Sequence, residues 1–228
     1  MVEDRTIAPV LAIRRGAERT VVRLHPALAA RYTATVAAAA PRIEAALGER
    51  VLANRVAAAS VDPPILKLHR WRLERSAFSR RLIGLARDAG ALVFIDVRRC
   101  YESITPHVVG ARLRELGIEP VSGDAIQTFL EGLRPLGVIG LPVGPAPSAV
   151  LANAVLASLD RALEETGIAH LRWVDDVVAA VDGAGEAEVL LGLVDRSLTR
   201  LGLERNEPKT RIVLEPGSAV AHRPSGRS

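Results

Sequence analysis

Carboxylates end or interrupt the strand-length apolar stretches of this chain, and this pattern constrains the fold more than any other feature. Asp96 ends the apolar run ALVFID, and Asp175-Asp176 lies between the strand-like stretches 168–174 and 177–181. Short apolar runs predict buried strands, and a two-residue polar break between two of them predicts a tight turn. A carboxylate pair beside a core is costly unless a cation or hydrogen bonds compensate its charge, and a metal ion is the leading candidate.

The composition predicts a soluble protein with a sizeable core. The chain has 228 residues, enough for one domain or two small ones, and 49% of them are hydrophobic. Cys100 is the only cysteine, which excludes a disulfide within the chain and suits a reducing cytoplasm. The N-terminus lacks the order of a signal peptide, and no run of 18 apolar residues occurs. We therefore expect a cytoplasmic protein without a membrane partner.

Charge is distributed unevenly along the chain. Residues 1–90 carry a formal charge of +8, and residues 91–228 carry −4. A basic part beside an acidic part suits a protein that grips a phosphate backbone next to a metal site. The alternative is a solvated, Arg-rich surface, and the charge pattern alone does not separate the two.

Turn residues and hydrophobic periodicity divide the chain into elements. In the first part they predict Ala-rich helices over 27–60, broken near Pro41 and Gly48, then a break at 62–64 and a helix over 76–90. Thr105 is predicted to cap the next helix, with Pro106 at its first position. The elements predicted after residue 90 are strands at 91–97, 168–174, 177–181 and 210–214, and helices at 106–117, 122–133, 147–165 and 186–201.

From Asp96 onward this order is β-α-α-α-β-β-α-β, the split pattern of a ferredoxin-like fold. The fold class is therefore α+β, an antiparallel sheet with helices on one face. In that pattern the first strand neighbours the central hairpin, so Asp96 and Asp175-Asp176 should meet at one end of the sheet. The predicted domains are a mostly helical region at 1–90, the α+β domain at 91–214, and a Pro/Gly/Ser-rich flexible tail at 215–228.

Four sequence blocks occur in an order and spacing that resemble one family. They are FIDVRRCYESI, GLPVGPAPSAVLANAVLASLD, RWVDDVV and LGLERNEPKT, and a weaker fifth block, WRLERSA, precedes them. Together they resemble the palm and finger motifs of the reverse transcriptases, closest to the bacterial group II intron and retron-like members. The resemblance covers about residues 70–214. It implies a polymerase palm, a helical fingers region before it, and RNA-directed DNA polymerase activity.

The resemblance also implies roles for the acids. Asp96 and Asp175 would bind two Mg²⁺ or Mn²⁺ ions, Asp176 would support them, and the Val97 carbonyl would face a metal. Such ions activate the primer 3′-hydroxyl and stabilise the leaving pyrophosphate. Lys209 stands where the family has a lysine that neutralises or protonates the pyrophosphate. The alternative for Asp175-Asp176 alone is a polar hairpin turn, where Asp is common.

Further residues would bind the nucleotide. Arg72 and Arg75 match the finger arginines that hold the triphosphate, for which a planar, permanently charged guanidinium is suited. Tyr101 matches the aromatic that excludes a 2′-hydroxyl and so selects dNTPs. The other nucleotide-binding candidates are Gly144, Ser148 and Asn153. The alternatives are a solvated basic face for the arginines and an ordinary core aromatic for the tyrosine.

Two departures from the family keep other functions open. Val143 replaces the usual Gln of the glycine loop (residues 140–148, before the long helix), and only a short tail follows residue 214 where the family continues into a thumb. The expected partners are an RNA template, a DNA or RNA primer and dNTPs, with a companion subunit or a noncoding RNA to replace the thumb. Bacterial relatives of this size often serve in antiviral defence or beside mobile elements, so the resemblance also implies such a role. The alternatives are a template-independent or protein-primed nucleotidyl transferase, and a catalytically retired palm that only binds nucleic acid.

Overall fold

The computed structural model describes residues 10–13, 20–87, 89–214 and 216. In that part of the chain the helices are α1 (Pro26–Ala45), α2 (Trp71–Arg87), α3 (Cys100–Ser103), α4 (Pro106–Glu115), α5 (Pro120–Gly132), α6 (Ala146–Glu165) and α7 (Ala184–Arg200). The strands are β1 (Val10–Ile13), β2 (Thr20–Arg23), β3 (Val56–Ser60), β4 (Ile65–Leu68), β5 (Ala91–Asp96), β6 (His170–Trp173), β7 (Asp176–Val181) and β8 (Arg211–Val213). Apart from Pro216, the predicted flexible tail at 215–228 lies outside the described residues.

Strands β5 to β8 form one antiparallel sheet in the order β6-β7-β5-β8. The first strand of the unit therefore lies beside the second strand of the hairpin, as a ferredoxin-like fold requires. The predicted α+β class is confirmed. Thr105 also caps α4 as predicted, because its hydroxyl accepts a hydrogen bond from Val108 N at 3.3 Å.

The two faces of β5 bury different helices. Val93 and Ile95 on one face pack into the large core formed with α1 and α4 to α7. Leu92 and Phe94 on the other face pack against Phe78 and the rest of α2. The helices of the α+β domain therefore pack on one face of the sheet, as predicted. Helix α2, which belongs to the predicted fingers region, covers the opposite face.

Two expectations for residues 27–60 were wrong. Pro41 does not break the first helix, because α1 continues through it to Ala45. Burial of Tyr32, Val36 and Ile43 against the core outweighs the local cost of the proline, as tertiary packing often overrides propensity.

The second error concerns β3, which was predicted as helix. The Ala-rich segment Val56–Ser60 pairs antiparallel with Ile65–Leu68 around the predicted break at 62–64. The helix expected from residue 76 begins earlier, at Trp71, and the one expected from 122 begins at Pro120. The predicted starts were therefore five and two residues too late, because local sequence signals constrain helix boundaries less than they constrain the presence of a helix.

Residues 50–52 continue the sheet beyond β6. Val51 forms a parallel bridge with Arg172. The backbone N–H of Arg172 donates to Arg50 O at 2.9 Å, and Leu52 N donates to Arg172 O at 3.0 Å. The N-terminal part of the chain thereby joins the sheet at the strand that leads into the acidic turn. No helix among the described residues has the length and apolarity to cross a membrane.

Candidate catalytic site

The ends of β5 and β7 bring two of the predicted acids together. Asp96 and Asp176 are register partners across the two strands, and Val97 N donates to Asp175 O at 3.3 Å. Asp96, Asp176 and Lys209 line the same open pocket of about 290 Å³. The sequence prediction that these distant segments meet at one end of the sheet therefore agrees with the fold.

Asp96 is almost fully buried, at 8% exposure, and both of its carboxylate oxygens have partners. Asn206 Nδ2 donates to Oδ1 at 2.5 Å, and Lys209 Nζ donates to Oδ2 at 3.1 Å. The backbone is fixed as well, since Asn206 N donates to Asp96 O at 2.7 Å. Lys209 therefore supplies positive charge at the acid. Asn206 was not among the predicted site residues, although it lies in the LGLERNEPKT block that could have pointed to it.

The turn between β6 and β7 has a strained backbone. Val174 has φ of 59°, a left-handed conformation that is rare for a β-branched residue. Such a residue costs on the order of 1–3 kcal/mol and persists only where its surroundings hold it. The Val174 carbonyl accepts a hydrogen bond from Arg172 Nη1 at 2.9 Å. The strain lies directly before Asp175 and Asp176, so it determines how the two acids are presented.

Trp173 anchors the turn from the side of α2. Its ring packs edge-on against Phe78 at 5.6 Å between centroids, and the Arg75 guanidinium lies 5.3 Å from its ring centre. Arg75, one of the two arginines predicted to hold the triphosphate, is therefore half-buried beside the acidic turn. Arg72 is exposed at the start of α2. The two arginines lie one helical turn apart on α2 and differ in burial.

The glycine loop lies directly on the segment after Asp96. Leu141 N donates to Tyr101 O at 2.7 Å. A Cβ on Gly140 would lie 2.4 Å from that same oxygen, so only glycine fits there. Gly144 has φ of +121°, which also favours glycine, and Val143 O accepts from Val22 N at 2.8 Å.

Ser148 and Asn153, both predicted to bind nucleotide, have their side chains engaged within the protein. Ser148 is fully buried, with its hydroxyl 3.1 Å from the Tyr32 hydroxyl. Asn153 is buried and donates to Ala53 O at 2.9 Å. These contacts favour roles in positioning the loop and helix α6, and direct contact with a nucleotide stays a prediction.

Tyr101 lies in α3, five residues after Asp96. Burial is the main cause that raises the pKa of its hydroxyl above the ordinary value, and the nearby Cys100 and the Asp175 carboxylate raise it further. Tyr101 is therefore neutral at physiological pH, and its role as a wall against a 2′-hydroxyl stays a prediction. The sequence prediction placed it near the acids, and the electrostatic influence of Asp175 agrees with that placement.

The oxygen donors at this end of the sheet are of the type that Mg²⁺ prefers. Asp96 and Asp176 present carboxylates to one pocket, and Lys209 shows that a cation is accommodated at Asp96. In residues 20–87 and 89–214, however, no group of three or more His, Cys, Asp or Glu side chains is arranged to hold a metal ion. The donor chemistry thus fits a divalent ion, but the expected cluster of three carboxylates is not assembled.

A ferredoxin-like sheet with acids at the ends of its two central strands defines the palm class of polymerase domain. Residues 46–224 match the family model described as reverse transcriptase (RNA-dependent DNA polymerase). The match covers more than half of the sequence, so the chain belongs to the reverse transcriptase family.

The solved structures that resemble the chain include telomerase from Candida albicans in complex with a TWJ fragment of telomeric RNA, at 12% sequence identity and a TM-score of 0.46. That similarity covers 60% of this chain and 30% of the telomerase chain, so the present chain spans less than a third of its length. No curated protein sequence matches the chain.

Proposed function

We propose that the protein is an RNA-directed DNA polymerase that adds dNTPs to a primer 3′-hydroxyl with the help of two divalent ions. The observation that carries this proposal is the pairing of Asp96 with Asp176 at a pocket that Lys209 also lines. Membership of the reverse transcriptase family supports the same reaction type. The bacterial group II intron or retron-like relationship, the cytoplasmic location and a role in antiviral defence belong to the proposal as well.

The proposed metal ligands are Asp96, Asp175 and the Val97 carbonyl, with Asp176 in support. Bound there, Mg²⁺ or Mn²⁺ would supply the charge that activates the primer hydroxyl and stabilises the leaving pyrophosphate. Asn206 orients the Asp96 carboxylate through its 2.5 Å hydrogen bond.

The remaining side chains bind and position the substrates. Lys209 is within reach of the same pocket and is placed to neutralise phosphate charge. Arg72 is exposed and available for the triphosphate. Gly144 permits the loop conformation next to the nascent base pair, and Ser148 and Asn153 hold that loop and helix α6 in place.

The proposal is tested by primer extension on an RNA template with the four dNTPs and Mg²⁺. We expect DNA whose sequence is complementary to the template, and loss of extension when EDTA removes the ion. Exchanging the template for one of different sequence should change the product accordingly. The proposal would be overturned by a pure, folded preparation that binds primer-template but extends no primer with Mg²⁺ or Mn²⁺. The protein would then be a palm domain that only binds nucleic acid.

One observation favours a second candidate, a template-independent or protein-primed nucleotidyl transferase. Val143 has no side-chain hydrogen-bonding group for a template or nucleotide, and its carbonyl is engaged by Val22 N. Sequencing the product distinguishes the two functions, because an untemplated product ignores the identity of the template. A companion subunit or noncoding RNA that assists the reaction would be revealed by primer extension that rises when it is added.

Replacing Tyr101 by Val is expected to raise the use of rNTPs relative to dNTPs by roughly 10- to 100-fold, because a clash of about 1.4–3 kcal/mol with the 2′-hydroxyl is removed. The measurement is the ratio of kcat/KM values for a dNTP and its rNTP. Tyr101→Phe is the matched control, since it keeps the ring and should keep the wild-type ratio. If the Val variant extends primers with the wild-type preference for dNTPs over rNTPs, the Tyr101 ring does not exclude the 2′-hydroxyl and this role is wrong.

A further inference from the structure

Arg172 lies in β6, three residues before Asp175, and its side chain is fully buried. Its Nε donates to both oxygens of Asp160, at 2.9 and 3.0 Å, and its Nη2 donates to Asp160 Oδ2 at 2.7 Å. Burial disfavours the charged carboxylate, but the charge and hydrogen bonds of Arg172, together with the neighbouring His170, hold the pKa of Asp160 below its ordinary value. The pair is therefore ionised inside the core.

The third nitrogen of the guanidinium faces the acidic turn. Arg172 Nη1 donates to Asn153 Oδ1 at 2.8 Å and to the Val174 carbonyl at 2.9 Å. Val174 is the strained residue that precedes the acids. A buried ion pair contributes little net stability compared with apolar residues of the same size. Its geometry, by contrast, fixes the direction of the Val174 carbonyl, and with it the turn.

The same network reaches the N-terminal part of the chain. Asn153 Nδ2 donates to Ala53 O at 2.9 Å and to Asn54 O at 3.3 Å. The backbone N–H groups of Asn54 and Arg55 in turn donate to the Glu74 carboxylate, at 3.3 and 3.1 Å. A continuous series of hydrogen bonds therefore joins helix α2 to the turn that carries the acids.

We infer that Arg172 is a positioning residue that, braced by Asp160 and Asn153, holds the Val174 carbonyl and thereby fixes the turn that presents Asp175 and Asp176, the acids proposed to bind divalent ions. This inference rests on the proposed polymerase function. It assigns to Arg172 no contact with substrate. It predicts that loss of the guanidinium's hydrogen bonds impairs metal binding and the chemical step, while substrate binding is retained.

The test uses the double variant Arg172→Met with Asp160→Leu in the full chain. It removes the donor to Val174 O without leaving an unpaired buried charge, a change that is often neutral or stabilising. Arg172→Lys is the second variant. It retains the charge opposite Asp160, but a single ammonium cannot reproduce the planar fork. Thermal unfolding and circular dichroism establish that each variant is folded.

The first readout is metal binding without turnover. In a Trp71→Phe background Trp173 is the only tryptophan, and Mn²⁺ quenching of its fluorescence reports binding at the adjacent turn. We expect the half-saturating Mn²⁺ concentration to rise about 10-fold in both variants, the size typical for loss of a residue that orients metal ligands. A folded variant with the wild-type midpoint overturns the inference.

The second readout is primer extension. We expect kcat to fall roughly 10- to 100-fold with KM for the dNTP nearly unchanged. A raised KM with normal kcat, or wild-type values in a folded variant, overturns the inference. Failure of the proposed function is distinguishable, because it would appear as no extension by the wild-type protein, while the Mn²⁺ titration would still compare the variants.

Discussion

Replacing both acids of the turn, Asp175→Asn with Asp176→Asn, is expected to reduce primer extension by roughly 10³-fold or more, because charge stabilisation at the reacting centre is the largest single contribution to such a step. Asparagine matches aspartate in size but carries no charge, so it cannot replace a carboxylate that binds Mg²⁺. Fold and stability should change little, since both residues are only half-buried. Single-turnover extension at saturating Mg²⁺ measures the effect.

Asp124→Asn is the matched control for this pair. Asp124 is exposed in α5, and the substitution makes the same chemical change at one acid, removing one negative charge where the turn variant removes two. We expect it to extend primers at the wild-type rate. Retention of full extension by the turn variant would contradict the assignment of the acids, whereas equal losses in turn variant and control would point to a general effect of charge.

Gly140→Ala is expected to destabilise the protein by about 2–3 kcal/mol or more, at the upper end of the cost of overpacking. The added Cβ would lie 2.3 Å from Glu102 O and 2.4 Å from Tyr101 O, and neither atom can move without displacing the backbone after Asp96. Because that backbone carries the proposed nucleotide wall, extension should fall as well. Urea unfolding gives the change in free energy of unfolding.

Gly84→Ala provides the corresponding control, because a Cβ there meets nothing within 4 Å. Gly84 is exposed within helix α2, where alanine is favoured over glycine by about 0.5–1 kcal/mol. The control should therefore be as stable as the wild type or more so. If Gly140→Ala unfolds at the wild-type urea midpoint, the close approach of the loop to α3 is absent in solution.

The sheet and the meeting of its acids were predictable because they depend on local, periodic signals. The strand ending at Asp96, the hairpin around Asp175-Asp176 and the capped helix after Thr105 each carry their own pattern of apolar residues, turns and caps. The known connectivity of the split β-α-β unit then places the first strand beside the hairpin. The order β6-β7-β5-β8 agrees with that reasoning.

What could not be predicted depends on tertiary contacts. An arginine in an apolar strand gives no sign of the buried partner at Asp160, twelve positions earlier, or of the carbonyl it holds. Pro41 indicates a helix break until the packing of α1 is known. The nucleotide-binding prediction for Ser148 rested on the resemblance alone, and only the fold reveals the Tyr32 hydroxyl beside it.

The pairing of Val51 with Arg172 has a consequence for assembly. A strand at a sheet margin normally offers unpaired N–H and C=O groups to any foreign segment, but here the chain itself occupies that place beside β6. Among the described residues, β8 pairs only with β5, which leaves its outer side as the margin where a partner could add a strand. A peptide that added a strand to β8 would lie next to Lys209. It would reach the pocket lined by Asp96 and Asp176 from the side of β8.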